Sequence, residues 1–116
     1  SGEVVKADYA EAAKWLRKAA EQGDTGAQTL TGNLYIAGNG VKQDFAEAAK
    51  WLRLAAVQDS PDAEYTLGRM YLNGVGVEEN RDEGLKLIRE SAEHGSREAK
   101  ALLRELPEDS TSLQEK

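Results

Sequence analysis

The chain has no cysteine, two prolines, one histidine, and aromatic residues at only 6% of its 116 positions. Without cysteine there are no disulfides, thiolate metal sites or cysteine nucleophiles, and the redox compartment leaves no mark. With so little proline, long helices can run uninterrupted. No apolar run approaches the roughly 18 residues of a membrane-spanning helix, so membrane insertion is not expected. Positive charge is also short: 15 basic against 21 acidic side chains leave a net charge of −6. Such a surface repels phosphate backbones and anionic lipid, so nucleic acid is not an expected partner. Hydrophobic residues at 40% and charged residues at 31% still describe a globular chain.

What is present is a repeat. Asp8-Tyr9-Ala10-Glu11-Ala12-Ala13-Lys14-Trp15-Leu16-Arg17 returns as Asp44-Phe45-Ala46-Glu47-Ala48-Ala49-Lys50-Trp51-Leu52-Arg53, 36 residues later. The same step carries Gly32 to Gly68, Tyr35 to Tyr71, Gly38 to Gly74, Gly40 to Gly76 and Val41 to Val77. A further step takes Asp44 to Asn80, Ala56 to Ala92 and Ala63 to Ala99. A period in this range marks stacked supersecondary units.

Apolar residues recur at helical spacing, as in Ala12, Ala13, Leu16, Ala19 and Ala20. Asp8, Asp44 and Asn80 each precede a glutamate by three residues, the spacing of a capping box. Asp24, Ser60 and Ser96 can cap a second set of helices, with Pro61 at a first helical position. Gly23 and Gly95 suit left-handed stops, and Asp59 stands in their place in the middle unit. The pairs Gly38/Gly40 and Gly74/Gly76 mark chain reversals. The spacing predicts six helices, over 8–22, 24–37, 44–57, 60–73, 80–94 and 96–105. Short turns make neighbouring helices antiparallel. Gly32 and Gly68, mid-helix, predict close helix–helix contact, and Trp15 and Trp51 are expected to fill the gaps between units. Residues 107–116 read as a polar tail.

These residues resemble the Sel1-like repeat family of tetratricopeptide-like solenoids. The resemblance rests on Ala63, Leu67-Gly68, Tyr71, Gly74-Val75-Gly76-Val77, then Asp44, Ala48-Ala49, Trp51 and Ala55-Ala56, with a second near-complete copy 36 residues earlier. It departs at Thr31, where leucine is expected. In the last unit Leu87 replaces the tryptophan and Arg104 the mid-helix glycine, as in a terminal cap. The implied fold is an all-α superhelix of antiparallel hairpins over residues 1–106. It divides into a truncated unit with helix 8–22, units 24–58 and 60–95, and a capping helix 96–105. Gly2 to Asp8 matches the close of a turn motif whose preceding helix is missing. A longer parent, with further repeats or an export signal upstream, is therefore expected.

The resemblance implies a protein-interaction scaffold. Its groove would be lined by Thr29, Asn33, Ile36 and Ala37, by Asp62, Tyr65, Arg69, Leu72 and Asn73, and by Glu98, Ala101 and Glu105. The alternative is that Ile36, Tyr65 and Leu72 are packing residues and the others ordinary solvent-facing polar groups. A structural or regulatory spacer within a larger protein is a further reading. Some members resembling this chain bind or hydrolyse β-lactams, but those are disulfide-rich. The family leans towards bacterial, exported proteins.

No enzyme, metal or cofactor is expected. His94 aligns with Gln22 and Gln58 at a helix end, where a polar residue needs no catalytic role. Glu78, Glu79, Asp82 and Glu83 lack the alternating oxygen ligands and glycine of a calcium loop. The Gly-x-Gly turns have neither a preceding strand nor a following Lys-Ser or Lys-Thr, so they are not phosphate loops. No Gly-x-Ser-x-Gly surrounds any serine. Lys14, Arg17, Lys18, Lys50 and Arg53 read as solvated partners of Glu11 and Glu47.

Overall fold

The computed structural model describes the backbone of residues 2–106 and the side chains from residue 8 onwards. Among the described residues there are six helices: α1 (Gly2–Glu21), α2 (Thr25–Ala37), α3 (Phe45–Ala56), α4 (Pro61–Asn73), α5 (Arg81–Glu93) and α6 (Arg97–Glu105). Successive helices pack on one another along the chain and the molecule is elongated, 57 × 25 × 24 Å. Its radius of gyration is 15.7 Å, where a compact chain of this length would have about 13 Å. A one-dimensional stack has that shape because each unit touches only its neighbours. Residues 107–116, read as a tail, lie outside the described residues.

Local chemistry sets most helix starts. The side chains of Asp24, Asp44, Ser60, Asn80 and Ser96 each accept from the backbone N–H three residues on, at 2.8–3.3 Å. The capping box forms only in this half. The N–H groups of Asp44 and Asn80 do not go to Glu47 and Glu83. They donate to the carbonyls of Tyr35 and Tyr71, at 2.9 Å in both, which ties each new helix to the hairpin before it. At α1 the expectation fails outright. Asp8 is not a cap, because the helix runs through it from Gly2. The turn motif has Val4 where Gly40 and Gly76 stand, and valine disfavours the left-handed geometry of that position.

The core runs along the stack. Ala48, Ala49, Leu52, Ala55 and Ala56 of α3 pack with Ala63, Leu67 and Met70 of α4 and Leu87 of α5. Small residues let the helices approach. A methyl group on Gly32 would lie 2.7 Å from Leu52 Cγ, and one on Gly68 would lie 2.8 Å from Ile88 Cδ1. Glycine is therefore required at both places by contact with the next helix. The turns lock in the same way: a side chain at Gly40 would strike the Tyr9 carbonyl, and one at Gly76 the Phe45 carbonyl.

The two tryptophans differ, which corrects the expectation that both fill gaps. Trp51 is half-buried with its indole N–H enclosed. Trp15 is 56% exposed. Its indole donates to Glu11 at 2.9 Å and Lys18 lies 5.0 Å above its ring. Among the described residues no helix precedes α1 to cover it. Glu11 is thus engaged by Trp15, whereas Glu47 pairs with Lys50 at 3.8 Å as the spacing suggests. Arg53 instead donates to the Tyr71 hydroxyl at 2.7 Å.

Candidate functional site

The residues expected to line a groove do not all behave alike. Thr29 is 7% exposed. Its hydroxyl bonds the Thr25 carbonyl and Ser60 Oγ, both at 3.1 Å, so it ties α2 to the start of α4. Its place on the buried side of α2 overrides the polarity of its side chain. Leu72 packs on α5, where a methyl group at Gly84 would come within 2.8 Å of it. Asn33, Ala37, Asp62, Arg69, Asn73, Glu98 and Glu105 are exposed, and Ile36, Tyr65 and Ala101 are half-buried. Arg69 lies 5.6 Å from the Tyr65 ring, a separation that favours a cation over an aromatic face.

Three of these residues converge. Ile36, Arg69 and Asn73 border a cleft of about 170 Å³, together with Phe45, Thr66, Met70 and Val75. Its floor is apolar, from Ile36, Phe45, Met70 and Val75, while Arg69 and Asn73 supply donors at the rim. Phe45, Thr66, Met70 and Val75 escaped sequence reasoning. Phe45 is 37% exposed although it begins a helix. Position within the repeat marked it as a repeat residue, without showing that it meets the end of α2.

A second cluster lies on the other edge of α4. Glu64 is 1% exposed, and its carboxylate meets His94 Nδ1 at 2.8 Å. His94 Nε2 is 3.9 Å from Asp59 Oδ1. Burial holds the Glu64 carboxyl above its usual range, against the opposing pull of His94. The hydrogen bond that His94 makes to Glu64 raises the imidazole pKa above its ordinary value. Sequence reasoning placed His94 at a helix end, where it does cap α5, but missed its buried partner. The available signal was Glu64, a charged residue at the repeat position held by Gln28. The nearby Ser91 donates to the Pro61 carbonyl at 2.6 Å, so it is not paired with the imidazole.

The fold defines a helical-repeat solenoid, a class whose working surfaces are the exposed faces of its stacked helices. A model of the Sel1 repeat matches residues 1–24, 25–60 and 61–96, and the chain belongs to this family. Solved structures agree. A Sel1 repeat protein from Oxalobacter formigenes is 40% identical over 78% of this chain and 37% of its own, with a TM-score of 0.75. The protective antigen c5321 of uropathogenic Escherichia coli, which displays an SLR fold, is 42% identical over 74% of this chain and 18% of its own, with a TM-score of 0.72. The cysteine-rich protein B of Helicobacter pylori is 27% identical, covering 78% of this chain and 68% of that one, with a TM-score of 0.73. The chain thus spans well under half the length of the first two. Among curated proteins, none matches this chain. No helix among the described residues is long and apolar enough to cross a membrane.

Proposed function

We propose that this chain is a protein-interaction scaffold that holds a peptide or protein segment along α2, α4 and α6. The supporting observation is the cleft bordered by Ile36, Arg69 and Asn73, with its apolar floor and two side-chain donors at the rim. An apolar side chain of a partner fits the floor, while Arg69 and Asn73 bond the partner's backbone carbonyls. Tyr65, stiffened by the Arg69 stack, adds contact area at little entropic cost. Asn33 and Glu98 extend the same polar surface to the neighbouring units. Thr29 and Leu72 serve packing in this reading and carry no partner contact. Binding, rather than catalysis, also fits the engagement of Ser91 with a backbone carbonyl and of His94 with two carboxylates.

The test is selection of random peptides displayed on phage against the immobilised chain and against its Arg69→Ala/Asn73→Ala variant. Both positions are exposed, so the variant keeps its helicity by circular dichroism. Sequences enriched on the parent are expected to lose at least about tenfold in affinity on the variant, given that truncating an interface anchor costs about 1–2 kcal/mol or more. Equal enrichment on both would remove the cleft as the binding surface.

A further inference from the structure

We propose that Asp59 and His94 form a binding site for a divalent transition-metal ion of the zinc type, with Glu64 as the residue that orients the histidine. Gly23, Gln28 and Gln58 at one junction correspond, 36 residues on, to Asp59, Glu64 and His94 at the next. At the first junction Gln58 Nε2 donates to Gln28 Oε1 at 2.8 Å, a neutral amide pair. At the second the same two positions hold His94 and Glu64, again at 2.8 Å. The fold therefore needs no ionisable group there. All three replacements supply a metal-donor side chain, and the three side chains meet: one donor atom from each lies within 4.8 Å of the other two.

The geometry assigns the roles. An ionised carboxylate only accepts, so the hydrogen between Glu64 and His94 sits on Nδ1. In the neutral ring Nε2 then carries the lone pair. Nε2 faces Asp59 Oδ1 across 3.9 Å. Zinc lies about 2.0–2.1 Å from imidazole nitrogen and about 2.0–2.2 Å from carboxylate oxygen. At the tetrahedral angle zinc prefers, those two atoms stand about 3.4 Å apart, so the 3.9 Å gap takes one ion once the exposed Asp59 side chain closes by about half an ångström. The buried Glu64 carboxylate completes a carboxylate–histidine–metal chain, the usual device for fixing a ligand ring.

The surroundings favour a cation. Asp59 follows the end of α3 and His94 caps the end of α5, so two helix C-termini, each with partial negative charge, meet at the site. The site opens into a cleft of about 590 Å³, where Glu83, Glu90 and Glu93 outnumber Arg53 and Lys86 and solvent can fill the remaining coordination positions. The imidazole ligand selects zinc, nickel or copper over magnesium and calcium, which take oxygen ligands. Such an ion would fasten the α3–α4 turn to the end of α5, across the boundary between two repeats.

The sister junction supplies variants that the fold already accommodates. Zinc chloride is titrated into the metal-free chain and into Asp59→Gly/His94→Gln by calorimetry, with magnesium chloride as a control. One zinc ion per chain is expected on the parent, magnesium is expected not to bind, and the variant should lose at least about tenfold in affinity. Glu64→Gln should keep the fold but lose about tenfold in zinc affinity. A Glu64 that served packing alone would leave zinc affinity unchanged in this variant. Zinc binding equally well to the parent and to Asp59→Gly/His94→Gln, or no binding to the parent at all, would overturn the proposal.

Discussion

Single positions show how far the repeat constrains each residue. Thr31 stands where Leu67 stands one unit later. It is 0% exposed, and its hydroxyl has no hydrogen-bond partner. A buried, unsatisfied hydroxyl costs about 1–3 kcal/mol in lost hydration. Valine has nearly the same shape and no hydroxyl, so Thr31→Val should raise the free energy of unfolding by about 1 kcal/mol in urea titrations. Unchanged or reduced stability would mean that the hydroxyl is satisfied after all. Asp59 shows the opposite pressure. It keeps a left-handed backbone, with φ of 67°, where both of its repeat equivalents are glycine. A non-glycine residue there costs roughly 1–2 kcal/mol, and its carboxylate beside His94 is what the position gains.

At the scale of the helix, equivalent sequences do different work according to what lies beside them. Trp15 and Trp51 occupy the same place in their repeats, yet one faces solvent and the other encloses its indole N–H. Trp51→Ala should therefore cost about 2–4 kcal/mol, somewhat below the roughly 3–5 kcal/mol of fully buried tryptophans because the ring is only half-buried. Trp15→Ala should cost less than about 1 kcal/mol, as surface substitutions do. Thermal unfolding of the two variants checks both values. Equal losses would show that helix α1 packs against something in solution that covers Trp15. The cap chemistry was readable at this scale: aspartate, serine or asparagine three residues before the donating N–H marked five helix starts. Asp8 carried the same signal and failed, because a cap acts only where the preceding backbone leaves the helix.

For the whole molecule, stability should be uneven along the stack. The continuous core links α3, α4 and α5, whereas α1 has α2 on one side and no preceding helix among the described residues. In a quasi-one-dimensional array the units with two neighbours are held most firmly. Native-state hydrogen exchange should be slowest in α3 to α5 and faster in α1. Uniform protection along the chain would contradict a stack of semi-independent units and point to a single cooperative block.

The architecture was legible from the chain alone because it is local and repeated. Thirty-six-residue spacing, caps, turn glycines and small residues at Gly32 and Gly68 each act over a few residues or one unit, so pattern suffices to place helices, turns and their antiparallel order. The working surfaces were only partly legible. Asn33, Arg69 and Asn73 were assigned to an exposed face and are exposed. Thr29 and Leu72 were assigned to the same face and are taken up by packing with α4 and α5. Phe45 and Val75 reach the cleft, and Asp59, Glu64 and His94 meet, only because units nest at a particular distance and rotation. That geometry is set by side-chain contacts between residues some 30 positions apart, such as Glu64 and His94, and no short-range pattern encodes it.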